Sequence, residues 1–259
     1  MIEDNVPAGV APYIRFERSG AALTVIFDRP DKHNAFPDTA HRDLPLFFSI
    51  LANDPARVIV FTGAGKSFSA GGDIEGVLER TEDVVVGVVL EATRIVTRML
   101  ELPQVTVAKV NGAAIGLGAV FALACDIAYA SSRAKFWDPH IDLGVVPGDG
   151  CGMLFMEFLG PMRARELLLT GRAITATQAA DWGLITKVCE PDALDALVDE
   201  LVDELLSKPP LAMRLTKQYL VAELRGRTEG LMTMGMGQEG ITMMSDEYDA
   251  LIRKWVEDN

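Results

Sequence analysis

One histidine and three aspartates lie together in an apolar and glycine-rich stretch of this 259-residue chain, residues 136–151, with the sequence FWDPHIDLGVVPGDGC. The ordinary pKa of imidazole lies near neutrality, so His140 beside a carboxylate could serve as a general acid or base. Asp149, which follows nine residues later between two glycines, is the predicted partner. Two structural interpretations stay open. His140 could be a hydrogen-bonded turn residue after Asp138, and Asp149 could cap a helix over residues 153–158.

The composition argues against several classes of function. A formal net charge of −13 disfavours binding to nucleic acid or to an anionic membrane, because both surfaces attract clustered Lys and Arg. The three cysteines are odd in number and lack the spacing of a disulfide framework or a metal site, which favours a reducing cytoplasm and predicts no metal. The N-terminus lacks the pattern of a signal peptide, and the most apolar run, residues 112–125, is too short to span a bilayer. We expect a soluble, cytoplasmic protein.

Apolar periodicity predicts an α/β chain with a helical tail. Predicted strands cover residues 13–16, 22–27, 57–62, 105–110, 126–130 and 184–188, and the first two form a hairpin. Predicted helices cover residues 38–52, 84–102, 164–169, 175–181 and 193–206, and Pro45 should kink or interrupt the first of them. The methionine-rich C-terminus is expected to pack in the core or at a subunit interface. We divide the chain into an α/β core over residues 1–191 and a helical region over residues 192–259.

Two glycine-rich segments follow predicted strands. The first is FTGAGKSFSAGGDI at residues 61–74, and the second is NGAAIGLG at residues 111–118, whose glycines open a helix running to Cys125. Glycine lets the backbone approach a ligand closely, and the exposed N–H groups at a helix start can bind an anion or oxyanion without any cation. Both segments are therefore candidates for binding a ligand through the backbone.

These segments, taken with two others, closely resemble the crotonase, or enoyl-CoA hydratase/isomerase, superfamily. The other two are DRPDKHNA at residues 28–35 and AKFWDPHIDLGVVPGDG at residues 134–150, and the resemblance runs from about residue 13 to residue 190. It implies a spiral of ββα units with a C-terminal helical region that forms homotrimers, often paired into hexamers. It also implies an acyl-CoA thioester as the substrate, with coenzyme A present only as part of that substrate and no separate cofactor.

The same resemblance implies that the N–H groups of Gly72 and Leu117 form an oxyanion hole. Two preorganised amides can stabilise the enolate of a thioester whatever the side chains are. Lys32 or Lys66, in the loops implied to bind coenzyme A, could meet phosphates or be ordinary solvated charges. Asp73 resembles the family's structural aspartate. The residues implied to contact the substrate are Lys32, Asn34, Ala35, Lys66, Ala70, Gly71, Asp73, Ile74, Val120 and Trp137.

The chain departs from the family at the two positions where a typical hydratase carries glutamates, which are Val120 and His140 here. A hydrocarbon side chain cannot carry a proton, so the usual two-carboxylate hydration is not implied unless Asp149 or another group has taken over the missing role. With His140 as a single base, the site could still isomerise a double bond. Glu75 and Asp73 are alternative acids.

A closer local resemblance lies within residues 139–150. The residues PH at 139–140, Gly144 and VPGDG at 146–150 look like those of the crotonase-type β-diketone hydrolases, such as the 6-oxocamphor hydrolase type. In those enzymes a His–Asp pair activates water for C–C bond cleavage, which implies His140 and Asp149 here. Glu239 falls where their tail carries a further carboxylate. A second histidine of that enzyme falls at Leu117, so its full set of groups is absent.

Three interpretations of function therefore stay open. The first is an enzyme that acts on acyl-CoA through an enolate held by the two amides. The second is a β-diketone hydrolase that needs no coenzyme A. The third is a member of the fold that binds coenzyme A without catalysis, as a hydrocarbon at a glutamate position would allow.

Other candidate side chains carry less weight. Cys151 has no evident cationic neighbour besides His140 to lower its pKa, so it is not predicted to be a nucleophile. His33 and His41 are predicted to be loop and helix-surface residues.

Overall fold

Strands and helices alternate along most of the chain in the computed structural model, which describes residue 2, residues 5–74 and residues 81–258. The strands are β1 (Ile14–Ser19), β2 (Ala22–Phe27), β3 (Val58–Gly63), β4 (Ser67–Ser69), β5 (Val105–Val110), β6 (Ala113–Ile115), β7 (Ile127–Ser131), β8 (Lys135–Trp137), β9 (Ile174–Thr175) and β10 (Lys187–Cys189). The helices are α1 (Asp38–Leu51), α2 (Glu82–Leu100), α3 (Leu117–Leu123), α4 (Cys151–Thr170), α5 (Ala176–Asp181), α6 (Leu194–Ser207), α7 (Pro210–Leu220), α8 (Ala222–Met243) and α9 (Asp246–Asp258).

One mostly parallel sheet has the strand order β1-β2-β3-β5-β7-β10. β1 and β2 form the predicted antiparallel hairpin, and the other neighbours pair in parallel. The register sets Val25 opposite Phe61 and Phe27 opposite Gly63. β3 and β5 are buried along nearly their whole length, as expected for parallel strands that are covered on both faces.

A second sheet of short strands, in the order β4-β6-β8-β9, brings the chemically interesting segments together. The described chain contains a strand–strand–helix unit four times, as β1-β2-α1, β3-β4-α2, β5-β6-α3 and β7-β8-α4, which confirms the expected spiral of ββα units. β4, β6 and β8 are parallel, so their carboxyl ends lie at one edge of the sheet. The later parts of both glycine-rich segments, from Ala70 and from Gly116, and the loop that carries His140 begin at that edge.

Aromatic side chains fill the core beneath this edge. Phe27 is packed against three other phenylalanines with ring centroids 5.2 to 5.3 Å apart, namely Phe36, Phe68 and Phe121. All four are at most 2 % exposed. Such rings contribute a large buried apolar area and edge-to-face contacts, which fix the backbone segments that carry them. The core therefore supports the glycine-rich loops from below.

Some element boundaries differ from the sequence prediction. α1 continues through Pro45, so of the two predicted outcomes the interruption is wrong and the kink stays a prediction. Pro45 removes one backbone hydrogen bond, but the buried face that includes Phe47 and Phe48 holds the helix against the core. The helical segments predicted around residues 153–158 and 164–169 belong to α4, whose dihedral angles break at Gly160 (φ 72°) before Pro161. β10 begins three residues later than predicted, because the residues before it close the turn after α5.

The C-terminal helices pack against the α/β part. α6 covers one face of the large sheet, and α8 lies along α2. Among the tail methionines, Met232, Met236 and Met243 are buried, as the core interpretation predicts, whereas Met234 and Met244 are exposed. The division of the chain at residue 191 stays a prediction. Of the helices described, none combines the length and the apolar character that a membrane crossing requires.

Candidate active site

The first glycine-rich segment turns sharply after β4. Gly71 has a φ of +84°, a region that residues with a Cβ rarely adopt. On either side of Gly72 the backbone pairs with Phe36, whose N–H donates to Gly71 and whose carbonyl accepts from Asp73, both at 2.8 Å. These bonds use the carbonyl of Gly71 and the N–H of Asp73. In an extended chain the backbone groups of successive residues point to alternate sides, so the N–H of Gly72 points away from Phe36.

The second segment begins α3 beside the first. Gly116, with φ 50° and ψ −122°, precedes the helix, and Leu117 is its first residue. The N–H of a first helical residue has no acceptor within its own helix. A Cβ placed on Gly71 would lie 3.1 Å from the nitrogen of Leu117 and 2.5 Å from the carbonyl oxygen of Ile115, so glycine is required for the two segments to approach.

A cavity of about 130 Å³ opens where these segments meet the loop after β8. Its wall includes eight of the residues predicted for the site: Ala70, Gly72, Asp73, Ile74, Leu117, His140, Asp149 and Glu239. The remaining wall is largely apolar and comes from α2, the loop after β8, α8 and α9, with Val88, Ile95, Leu143, Met243, Tyr248 and Ile252 among its members. The cavity thus has the two glycine-rich segments on one side and titratable side chains on another.

His140 is held by a carboxylate other than the predicted one. Asp138, which is 3 % exposed, accepts hydrogen bonds at Oδ1 from the backbone N–H of His140 at 3.0 Å and from ring Nδ1 at 2.8 Å. Asp149 Oδ2 lies 4.0 Å from Nε2 on the other side of the ring. Asp149, the predicted partner, is therefore the more distant of the two carboxylates next to His140. An aspartate often accepts a hydrogen bond from the backbone N–H two residues later in the chain. The sequence Asp-Pro-His has this spacing, and it is the signal that would have identified Asp138.

Of the two structural interpretations left open by the sequence, the hydrogen-bonded turn holds, whereas Asp149 is not the capping residue, because the N-cap of α4 is Gly150, which has no side chain to make the capping hydrogen bond. His140 lies in a hydrogen-bonded turn, and Asp149 Oδ1 accepts from the N–H of Cys151 at 3.3 Å, at the start of α4. These roles do not compete with acid–base chemistry, since each uses atoms that face away from the cavity or only one oxygen of the carboxylate. The same bonds fix the side chains in place.

Burial and charge shift the pKa values of this cluster in different directions. Burial disfavours the imidazolium of His140, but the charges of Asp138 and Asp149 outweigh it and raise its pKa well above the ordinary value. Burial raises the pKa of Asp149, partly offset by His140. Burial also acts against ionised Asp138, yet its bonds and charge interaction with His140 lower its pKa. Together these shifts favour an imidazolium at His140 paired with ionised Asp138.

Glu239 reaches the same cavity from α8. It is 6 % exposed, and its Oε2 accepts from the N–H of Gly148 at 3.0 Å. Burial raises its pKa to about 8, with the charge of Asp149 adding to the effect and that of His140 opposing it. Glu239 is therefore mostly protonated at neutral pH and can donate a hydrogen bond into the cavity.

The Enoyl-CoA hydratase/isomerase family model matches residues 17–246. The chain belongs to this family. It is 33 % identical over 208 residues to the short-chain-enoyl-CoA hydratase of Clostridium acetobutylicum, covering 79 % of each chain, and 32 % identical over 206 residues to the 1,2-epoxyphenylacetyl-CoA isomerase of Escherichia coli, covering 76 % and 78 %. A crystal structure of an enoyl-CoA hydratase/isomerase from Mycobacterium paratuberculosis matches with a TM-score of 0.89 at 29 % identity, over 96 % of this chain and 99 % of that one.

His41 is a cavity residue that the sequence prediction missed. A Cβ on Gly72 would lie 3.8 Å from its Cε1, and both ring nitrogens are buried. The prediction of a surface position on the helix is therefore wrong. His41 lies three residues before Leu44 and seven before Phe48, both buried, so helical spacing alone would have set it on the inner face of α1. His33 lies in a loop, as predicted, with Nδ1 3.1 Å from the Ser67 hydroxyl.

Asn34, predicted to bind substrate, instead joins two loops. It is 1 % exposed, its Oδ1 accepts from the N–H of Arg29, and its Nδ2 donates to the carbonyls of Ala64 and Ser67 at 2.9 and 2.8 Å. These bonds occupy the amide, so its role in the structure is to hold the first glycine-rich loop. Ala35 is buried beside it and accepts from Arg29 through its carbonyl.

Asp73 forms an ion pair with Arg29 at 2.6 Å while it also borders the cavity, in keeping with the structural aspartate that the family resemblance implies. The same guanidinium bonds the carbonyl of Ala35, so it links the loop before α1 to the end of the first glycine-rich segment. Glu75, the other predicted alternative acid, lies outside the described residues.

Other predicted contacts lie away from the described cavity wall. Trp137 donates from its indole nitrogen to the carbonyl of Gly171 at 2.7 Å, which holds its ring toward the end of α4. Val120 is fully buried and packs behind the loop, since a Cβ on Gly150 would lie 3.3 Å from its Cγ1. Lys32, Lys66 and Gly71 are also absent from the wall, and Lys66 is exposed. Gly71 shapes the site through its backbone.

Asp138, His140 and Asp149 each offer one metal-ligand atom, and these atoms lie within 4.8 Å of one another. Asp138 Oδ1 already accepts hydrogen bonds from the backbone nitrogen and from ring Nδ1 of His140. The ligand atoms that remain toward the cavity are Nε2 of His140 and the carboxylate of Asp149. Protein metal sites generally supply three or four ligands, which these two donors do not reach. The absence of a metal stays a prediction.

Proposed function

We propose that this chain transfers protons on an acyl-CoA thioester through an enolate whose oxygen is bound by the N–H groups of Gly72 and Leu117. The observation that carries the proposal is the approach of the two glycine-rich segments, where a Cβ on Gly71 would meet the nitrogen of Leu117 at 3.1 Å. Both residues border one cavity with His140 and Asp149. The membership of the chain in the enoyl-CoA hydratase/isomerase family supports the choice of substrate.

Two backbone amides aimed at a developing oxyanion are a strong source of rate enhancement, because they need no reorganisation during the reaction. They serve hydration and isomerisation equally well, since both pass through negative charge on the thioester oxygen. The identity of the reaction then depends on the acid–base groups. Val120 is buried hydrocarbon, so His140, Asp149 and Glu239 are the groups that would move protons.

The test is a calorimetric titration of the purified protein with CoA, acetyl-CoA and crotonyl-CoA, followed by mass analysis of the crotonyl-CoA sample. We expect saturable binding of the thioesters. A gain of one water by crotonyl-CoA identifies a hydratase, and a shifted double bond without a mass change in a longer enoyl-CoA identifies an isomerase. Binding without turnover of any enoyl-CoA would favour the non-catalytic alternative, and no binding of any CoA species would contradict the proposal.

The second candidate is a β-diketone hydrolase, favoured by Glu239 in the same cavity as His140 and Asp149. In that reaction His140 and Asp149 would direct a water at a ketone carbonyl, and the amides would hold the enolate that leaves. It predicts turnover of a cyclic 1,3-diketone in the absence of coenzyme A, detected by the appearance of a keto acid. Failure of such diketones to react would remove this candidate.

We also propose a homotrimer, or a dimer of trimers, located in the cytoplasm. Large apolar side chains are exposed on α4 and α7, among them Met162, Leu211, Leu215, Tyr219 and Leu220. Exposed apolar surface of this kind is typical of an interface with another protein. Light scattering of the purified protein should give three or six times the chain mass, and a monomer would contradict the proposal.

A further inference from the structure

His140 lies between two carboxylates that face opposite nitrogens of its ring. Asp138 Oδ1 is 2.8 Å from Nδ1, and Asp149 Oδ2 is 4.0 Å from Nε2. An ionised carboxylate can only accept a hydrogen bond, so Nδ1 carries a proton. The distance to Asp149 is too long for a direct hydrogen bond and leaves Nε2 directed at the space between them.

The two carboxylates around the ring indicate whether His140 or Asp149 donates the proton in the reaction. A histidine base must present a bare nitrogen, and a bare Nε2 next to the negative charge of Asp149 would be repelled rather than stabilised. A protonated Nε2 is attracted by both carboxylates. Asp149, in contrast, keeps one oxygen on the N–H of Cys151 and has the other turned toward His140.

We propose that His140 is the acid of this site and Asp149 its base, with Asp138 as the positioning residue that keeps the imidazole doubly protonated. The assignment rests on the thioester function proposed above and names the roles within it. It also explains how a chain with Val120 and His140 at the glutamate positions keeps two proton-transfer groups, because the second one is supplied by Asp149.

The proton balance closes within the pair. The carboxylate of Asp149 takes a proton from the carbon next to the thioester, and the C–H electron pair moves through that carbon to the carbonyl oxygen, which Gly72 and Leu117 hold as an enolate. The enolate then forms a new C–H bond with the proton on Nε2 of His140. Asp149 is now an acid and His140 is neutral, so the transfer of one proton across the 4.0 Å gap, directly or through a water, restores both. In hydration, Asp149 takes the proton from the attacking water instead.

The surroundings of His140 favour its charged form. The titratable groups that face it are Asp138 from its own turn, Asp149 and Cys151 from the start of α4, Glu239 from α8 and Tyr248 from α9, with His41 and Asp73 across the cavity. Those closest in space, Asp138 and Asp149, are both acids. The Cys151 thiol lies beside Asp138 and the Gly116 carbonyl, and burial raises the pKa of that thiol, which keeps it neutral.

Asp138→Asn tests the positioning role, because it keeps the shape of the side chain and removes its charge. We expect kcat to fall about 10²-fold with KM for the thioester little changed, since Asp138 does not contact the substrate. The acid must be protonated to act, so activity is lost as the pH rises through its pKa. Without the Asp138 charge that pKa falls, and the alkaline limb of the kcat profile should move to lower pH. A profile in which the acidic limb moves instead would identify His140 as the base and overturn the assignment.

Asp142→Asn is the matched control. Asp142 is an exposed acid in the same turn, and it packs against Gly171 at the end of α4, where a Cβ would lie 2.5 Å from its Oδ2. Loss of its charge should leave the pH profile of wild type in place. An equal shift in this variant would mean that the effect of Asp138→Asn reflects the general charge of the loop.

Exchange of the methyl protons of acetyl-CoA in D2O, followed by NMR, separates the two roles. We expect Asp149→Asn to abolish exchange and His140→Gln to retain it, because the base alone can form and reprotonate the enolate. Loss of exchange in His140→Gln with retention in Asp149→Asn would overturn the assignment. Far-UV circular dichroism confirms that each variant is folded.

The protonation state of His140 can also be measured without any substrate, by a pH titration of the ¹⁵N-labelled imidazoles in the free protein followed by NMR. We expect both ring nitrogens of His140 to be protonated at neutral pH in wild type, and one to be bare in Asp138→Asn. A neutral His140 in wild type would overturn the proposal. If wild type neither binds nor exchanges any thioester while His140 is still an imidazolium, the thioester function fails and the positioning role of Asp138 stands.

Discussion

The two sides of the cavity are built in different ways. On one side, the N–H groups of Gly72 and Leu117 belong to backbone that strand pairing and a helix start hold in position. On the other side, His140, Asp149 and Glu239 are side chains from separate elements, each oriented by its own hydrogen bonds. Backbone amides tolerate changes of side chain, whereas the acid–base side can be altered one residue at a time. This difference is what would let a chain keep the proposed oxyanion site while its proton-transfer groups change.

The largest effect on activity should come from adding a methyl group at Gly71, where the two glycine-rich segments meet. Gly71→Ala puts a Cβ 2.5 Å from the carbonyl oxygen of Ile115 and 3.1 Å from the nitrogen of Leu117, so one of the two amides must move. Loss of a single oxyanion donor typically lowers kcat by about 10²- to 10³-fold, and we expect at least that loss with crotonyl-CoA.

Gly183→Ala is the control for backbone strain, because Gly183 has a φ of +82°, close to the +84° of Gly71, with no atom within 4 Å of the added Cβ. Both variants should lose about 1 kcal/mol or more of unfolding free energy from the positive φ. Only Gly71→Ala should lose activity. Equal loss of activity in both would mean that the approach of the two segments does not matter for turnover.

A second test concerns what holds the backbone side together. Asn34→Ala leaves the N–H of Arg29 and the carbonyls of Ala64 and Ser67 without their buried partner. We expect the free energy of unfolding to fall by about 2–4 kcal/mol, as measured by urea denaturation, because buried polar groups lose their hydrogen bonds. Asn53→Ala, which removes an exposed hydrogen bond to Ser49, should cost less than about 1 kcal/mol. Similar losses in the two variants would argue against Asn34 as the link between the loops.

The backbone side is also the one that the sequence predicted better. The two glycine-rich segments follow from the sequence pattern, and the ββα repeat and the pairing of the two segments in one site follow from a family resemblance carried by long motifs. Asn34 was assigned to substrate because a motif position does not say whether an amide faces a ligand or a neighbouring loop. Three of its four hydrogen-bonding partners come from a loop about thirty residues away, a contact that local patterns do not contain.

The side-chain wall was predicted less completely. His140, Asp149 and Glu239 were found, but the closest carboxylate, Asp138, was treated only as part of a turn, although the same two-residue spacing that makes the turn also sets the carboxylate against the ring. His41 was missed although its spacing from Leu44 and Phe48 places it on the buried face of α1. Glu239 joins this wall from a helix about ninety residues away, so only the family resemblance could have located it.

A third test addresses the charge state of the side-chain wall. The pKa of Glu239 is raised from 4.5 in an ordinary setting to about 8 by burial, so the folded protein binds this proton more tightly than the unfolded chain does. The resulting stability is fully present below pH 4.5 and is lost as the pH rises toward about 8. We expect the unfolding free energy of wild type to fall across this range by about 1 kcal/mol per pH unit relative to Glu239→Gln. Denaturation curves at several pH values measure the difference, and parallel curves would mean that Glu239 is ionised in the folded protein.

The smallest effect should come from a residue that lies near the site without bordering the cavity. Trp137→Phe keeps a ring of similar character and removes the hydrogen bond from the indole nitrogen to the carbonyl of Gly171. We expect a loss of about 1 kcal/mol in unfolding free energy and an unchanged kcat/KM for crotonyl-CoA. A large rise in KM with unchanged stability would instead return Trp137 to the substrate site, as the family resemblance had implied. The two outcomes separate a side chain that supports the loop after β8 from one that contacts the acyl group, which neighbouring positions in a motif cannot do.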